Sequence, residues 1–247
     1  MNLLADAVAW LTDPANWTGV GSIPQRVVEH LWISAIVLVI SAAIALPLGG
    51  LVGHTGRGRE PAVMVSGGLR ALPTLGVLTL FALWLGIGLQ APIIALVILA
   101  IPPLLAGAYA GFESVDRRTI DAARAMGMRE DQIVGKVELP LSMPIVVGGI
   151  RSATLQIIAT ATLAAYVADF GLGRFIFAGL KTRDYGEMLG GSILVILLAL
   201  VVDGGFAIAQ RLAVPAGVRV SRSAELRPEP TRPRAIMGRP ITEGNQE

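Results

Sequence analysis

Five stretches of this chain are apolar on all sides and long enough to cross a bilayer. A helix needs about 20 such residues to span roughly 30 Å of hydrocarbon, whereas a soluble domain of this length shows amphipathic periods instead. The runs are Leu31–Val52, Val63–Leu85, Pro92–Phe112, Ile145–Val167 and Met188–Gln210. They define an all-α integral membrane protein with about five spanning helices. Only 15% of the residues are charged and 53% are hydrophobic, which leaves little material for a separate soluble core. In this setting 29 glycines and 15 prolines read as helix-packing residues rather than as loops.

The remaining segments are short and distinct. Residues 1–30 lack a basic start, an apolar core and a small-residue cleavage site, and Trp10 and Trp17 suggest a segment lying at the membrane interface. Pro47 and Gly49-Gly50 are expected to break the first span late. Residues 164–187, Gly-rich and half polar, read as a candidate re-entrant or interfacial hairpin, which must then be buried in protein or line an aqueous space. Residues 213–247 are rich in Pro, Arg and Glu and are expected to be a disordered tail. Basic residues set the topology. With the N-terminus outside, the inner loops carry Arg57, Arg59, Arg117, Arg118, Arg124, Arg129 and Lys136, and the tail adds six more arginines. The outer segments hold only Arg26, Arg174, Lys181 and Arg183.

Catalytic signatures are missing. Gly179-Leu180-Lys181-Thr182 lacks the first glycine of a phosphate loop, so hydrolysis of ATP by this chain is not expected. His30 and His54 stand at opposite ends of the first span, with no second histidine near either, and no Gly-x-Ser-x-Gly elbow occurs. Without cysteine there is neither a disulfide nor a thiolate metal site.

The long polar connection between the third and fourth spans, residues 113–144, stands out against this background. Its first half reads as helix, Gly127 punctuates it, and Leu139-Pro140 is expected to stop it before the next span. Asp121-Ala122-Ala123, then Gly127, then Val137-x-Leu139-Pro140 resembles the EAA motif of ABC-importer permeases, with Asp in place of Glu and Val in place of Ile. The resemblance implies a type I (MetI-like) transmembrane domain whose coupling helix docks on an ATPase subunit. In that reading the small Ala122 and Ala123 permit close approach and Gly127 allows a sharp turn. It also implies the further partners: a second permease copy or paralogue and a separate solute-binding protein. ATP and Mg would sit on the ATPase, leaving this chain without a cofactor.

The resemblance extends over about residues 25–212. His30, Leu46-Pro47-Leu48-Gly49, Arg70-Ala71-Leu72-Pro73-Thr74, Pro103 through Gly111, Leu163-Ala164-Ala165, Gly171-Leu172-Gly173, Ile176 and Gly179-Leu180 are similar to permeases for quaternary-ammonium osmoprotectants such as glycine betaine, carnitine, choline or proline betaine. Permeases for methionine or another small amino-acid-like solute share some of these signatures and remain open. An ion-driven secondary transporter is the competing class. It would show inverted repeats and several buried acids, of which only one intramembrane acid is present.

Arg70, Arg151 and Asp203 fall inside spans, each roughly 9–12 Å from the inner helix end at about 1.5 Å per residue. They are expected to form one charge layer in which Asp203 pairs with Arg70 or Arg151, or else to snorkel separately to the interface. An ammonium that cannot lose a proton is best held by aromatic faces. Tyr109, Tyr166, Phe170 and Phe175 are the candidates beside a path, although the sequence does not gather them into a cluster.

Overall fold

The structure, a computed structural model, describes residues 2–213, with side chains as far as 210. The helices are α1 (Leu3–Thr12), α2 (Ile23–Thr55), α3 (Arg59–Arg70), α4 (Thr74–Leu85), α5 (Gln90–Glu113), α6 (Arg117–Ala125), α7 (Glu130–Ile133), α8 (Leu139–Ala161), α9 (Ala165–Ala168), α10 (Gly173–Thr182) and α11 (Tyr185–Ala213). Four apolar helical stretches are long enough to cross a membrane, and the α3–α4 pair makes a fifth if counted as one span. The expected tail, 213–247, lies almost wholly outside the described residues.

The first span is longer and straighter than expected. Helix α2 starts at Ile23, inside the segment assigned to the N-terminal region, and runs through Pro47 without stopping. Its glycines do not break it either; they bring it close to α5. A Cβ on Gly49 would lie 2.6 Å from the Ala108 Cβ, and one on Gly53 would lie 2.6 Å from the Phe112 Cβ. Glycines four residues apart face one way on a helix and let two backbones meet. Helix α5 repeats the device toward α8, where a Cβ on Gly107 would lie 2.6 Å from the Gly149 Cα. Helices α2, α5 and α8 enclose a core built on Ile33, Val37, Leu96, Ala100, Ile157 and Ala161.

The second expected span, Val63–Leu85, is broken. Helices α3 and α4 meet at 83° across Ala71–Pro73. Pro73 donates no N–H, disfavours helical backbone at Leu72, and itself takes an extended ψ of 116°. Pro102 and Pro103, by contrast, sit buried inside an unbroken α5.

Residues 164–187 fold as the short helices α9 and α10 joined by a turn. The chain turns at Asp169 and Gly171, both with positive φ, and α10 then packs on α11. His30, fully buried, fastens this turn. Its Nε2–H donates to the Ile158 carbonyl at 2.9 Å, and its Nδ1 accepts the Leu172 N–H at 3.3 Å. Those two partners define a neutral ring with its proton on Nε2. Glu29 adds a bond from the Gly171 N–H at 3.0 Å. The N-terminal helix is likewise part of the bundle: α1 packs on α11, and Trp10 meets Phe175 edge to face at 4.9 Å.

The glycine contact yields a prediction. Gly53→Leu should force α2 away from α5 and cost about 1–3 kcal/mol, the usual range for overpacking. It should be read as a lowered melting temperature of the purified protein in detergent, beside a Gly67→Leu control in which nothing lies near the added Cβ.

Candidate coupling site

The polar connection folds as a small unit with its own core. Asp116 caps α6 by accepting the Arg118 N–H at 2.9 Å. From α6, Ile120 and Ala123 turn inward against Val115 and Ile133, with Met128 and Val137 packed around them. The helix ends in a left-handed turn at Gly127, φ +82°. The Met128 N–H reaches back to the Ala123 carbonyl at 3.2 Å, and the Gly127 N–H to the Arg124 carbonyl at 2.9 Å. This paired closure satisfies the last carbonyls and needs a residue tolerant of positive φ at that point. At the start of α7, the Gln132 side chain accepts the Arg129 N–H at 3.0 Å.

Two expectations for this segment change. Leu139-Pro140 does not stop the helix: a π-helical turn, Val134–Glu138, joins α7 to α8, and Pro140 occupies the first turn of α8. Its missing N–H falls where the hydrogen-bond ladder changes from π-helical to α-helical spacing. Nor do the two alanines act alike. Ala122 is exposed, whereas Ala123 is only 2% exposed and belongs to the unit's own core. The outward face carries Asp121, Ala122, Ala125 and Met126, the last 76% exposed. Val137 and Pro140 are half-buried and Leu139 is exposed.

Charges tie the unit together. Arg124 donates to both Glu130 oxygens, at 2.7 and 3.1 Å, and to Asp121 at 3.3 Å. The Glu130 hydrogen bond raises the Arg124 pKa above its ordinary value. These groups are largely exposed, so each pair contributes little to stability but helps to fix how α6 sits on α7. His54, from the end of α2, reaches the same place: Nδ1 lies 2.6 Å from Glu138 Oε2 and Nε2 lies 3.2 Å from Glu130 Oε2. Arg117 donates to the His54 carbonyl at 3.3 Å. The sequence does not single out Glu130, Glu138 or His54. Its only signals are a histidine at a span end and an acid beside Leu139-Pro140, separated by 84 residues.

Of the intramembrane charges, two pair directly. Arg151 donates from Nε and Nη2 to the two Asp203 oxygens at 2.6 and 2.7 Å, joining α8 to α11. Arg70 stands apart, lining a cavity of about 250 Å³ with Ser66 and Tyr109. The four aromatic candidates separate as well. Tyr109 lies under the Arg59 guanidinium, Tyr166 beside Phe177, Phe170 beside Trp32 and Phe175 beside Trp10. No two of the four share a contact pair, so they build no cage.

A bundle of long apolar helices with a compact polar unit between two spans defines an all-α integral membrane protein. The chain belongs to the family of binding-protein-dependent transport system inner membrane components, which matches residues 45–216. It is 33% identical over 202 residues to the choline transport system permease protein OpuBB of Bacillus subtilis (strain 168), covering 82% of this chain and 93% of that one. It is 36% identical over 194 residues to the carnitine transport permease protein OpuCB of Listeria monocytogenes, covering 78% and 89%. Among solved structures, the inward-facing MetNI methionine ABC transporter aligns with a TM-score of 0.67 at 22% identity, over 76% of this chain and 94% of that one. That last likeness shows the fold, a MetI-type permease. Membership of this family sets aside the ion-driven secondary transporter.

The inward placement of Ala123 gives a clear contrast. Ala123→Glu should bury a charge without a partner and destabilise the unit by about 3 kcal/mol or more. Ala122→Glu, on the exposed face, should leave it folded. Amide exchange over residues 116–138 should accelerate strongly in the first variant and stay near wild type in the second.

Proposed function

We propose that this chain is the pore-forming permease subunit of an ATP-driven importer for quaternary-ammonium osmoprotectants, such as choline, carnitine and glycine betaine. The observation that carries the mode of powering is the capped unit of residues 116–138, which turns Asp121, Ala122 and Met126 outward on a folded base of its own. An exposed methionine beside small and charged residues suits a groove on a partner protein, because the flexible thioether adapts to the surface it meets. The partner is an ABC ATPase, which holds the ATP and Mg; this chain binds neither. Its end of the bundle is the cytoplasmic one, supported by the arginines of the α2–α3 and α5–α8 connections. In this reading the N-terminus is outside and the C-terminal tail is cytoplasmic.

Transport then follows from geometry. Two permeases, identical or paralogous, form the pore, and a separate binding protein delivers the solute from outside. Closure of the ATPases moves the docking units, and each unit is continuous through the π-helical turn with α8. Helix α8 is in turn held to α11 by Arg151 and Asp203 and to α5 through Gly107 and Gly149. Affinity for the solute resides in the binding protein, in keeping with the scattered aromatics here. The solute class rests on the relatives from Bacillus subtilis and Listeria monocytogenes. Methionine or another small amino-acid-like solute, whose permeases share some of the sequence signatures, is the second choice.

The test is reconstitution with the ATPase and binding protein in liposomes, measuring ATP-dependent uptake of labelled choline, glycine betaine, carnitine and methionine. Uptake of at least one quaternary ammonium solute and none of methionine is the expected result; the reverse pattern would refute the solute class. Met126→Glu should lose most of the ATPase from the purified complex and reduce uptake about tenfold or more, as expected for an anchor residue at an interface.

A further inference from the structure

We propose that His54 and Glu138 form a latch that transmits displacement of the docking unit to α2, making both positioning residues for transport. This rests on the reading above, in which the unit of residues 116–138 docks on an ATPase. Glu138 is 0% exposed, at the end of the π-helical turn where the docking unit becomes α8. Among the described residues its Oε2 has one close partner, His54 Nδ1 at 2.6 Å, and its Oε1 has none. A buried carboxylate with an unmatched oxygen is expensive, and an apolar side chain of similar size would fill the same volume more cheaply. What an apolar side chain would not supply is a directional bond to another helix.

The surroundings show why that bond matters. Beside His54 an apolar cavity of about 540 Å³ lies between α2 and α8, with α5 behind it; Pro47, Leu51, His54, Val134, Leu139 and Met143 are among its lining residues. Apolar walls across a gap slide and separate without a preferred register, so packing alone transmits little motion between α2 and α8 there. The imidazole crosses this region from the last turn of α2. Its second nitrogen faces Glu130, which is itself held by Arg124 of α6. Arg117 of α6 also holds the His54 carbonyl. A continuous polar chain therefore runs from the docking helix through Arg124 and Glu130 to His54, and on to Glu138. The π-helical turn that aims Glu138 is a geometry met mostly as single turns at functional sites. Helix α2 is the longest helix in the described chain, so a movement applied at His54 is carried along its whole length to the His30 contact at the other end.

The substitutions Glu138→Met and Glu138→Gln separate a latch from a purely structural pair. Glu138→Met removes both the bond and the unmatched buried oxygen, so the complex should melt no lower than wild type. In liposomes with its ATPase and binding protein, the same variant should take up about tenfold less solute per ATP hydrolysed, the loss expected for one charged hydrogen bond. Its apparent KM for the solute should not change. Glu138→Gln keeps an acceptor for the imidazole N–H and should recover most of that ratio. A wild-type ratio in Glu138→Met would overturn the latch. So would a loss of ratio in both variants together with dissociation of the ATPase, since that marks a structural role. Amide exchange over residues 117–138 in the solute-free complex gives an independent reading: it should quicken in Glu138→Met, and unchanged exchange would overturn the proposal. If the wild-type complex imports none of the quaternary ammonium solutes, the solute class fails while this measurement still decides the latch.

Discussion

The closeness of α2 to α5, and of α5 to α8, is the constraint on which the other features depend. Inside hydrocarbon no hydrophobic force draws one helix to another, so association rests on how nearly two backbones approach and on the few polar bonds between them. Gly49 and Gly53 admit α5, and Gly107 and Gly149 admit α8. That spacing fixes where the ends of the three helices emerge. It brings the last turn of α2 within hydrogen-bond reach of Glu138 at the start of α8, and it places His30 against Ile158 at the opposite end. A wider α2–α5 gap would loosen both attachments together.

The polar interactions between helices are few, and they join elements that also share apolar contacts. Arg151 and Asp203 hold α11, a helix whose outer face exposes Leu197, Leu200 and Val201. His30 and Glu29 hold the turn between α9 and α10. In a medium without water an unpaired polar group costs several kcal/mol, so a small number of bonds with defined geometry can select one arrangement among several of similar packing.

Much of this was legible in the sequence, and the failures have physical reasons. The spans are visible because all-round apolarity does not depend on what neighbours a helix. The fate of prolines is not visible in the same way: Pro47, Pro102 and Pro103 lie within continuous helices, whereas Pro73 ends one. The outcome depends on whether neighbouring helices hold the chain on its course past the missing bond. The motif spacing marked out the compact unit of residues 116–138, and Gly127 was recognisable as its turn. The inward direction of Ala123 was not, because a nine-residue helix leaves its rotation about its own axis open until Val115 and Ile133 are placed. Asp203 had two possible partners for the same reason; the heights of charges along helices can be counted, but the faces they occupy depend on packing. The contact between His54 and Glu138 joins residues 84 apart and left no local trace.

The π-helical turn has one further consequence. An α-helix advances about 100° per residue, so a turn that accommodates one additional residue shifts the phase of everything after it relative to everything before it. Residues 130–161 thus behave as a single rod with two faces set out of step, one addressing α6 and the other addressing α2 and α5. If the rod relaxed to uniform α-helical pitch, its two halves would rotate against each other by roughly the angle of one residue, carrying Glu138 around the axis. The π-helical turn therefore sets the rotational phase of α8 against the polar unit that precedes it.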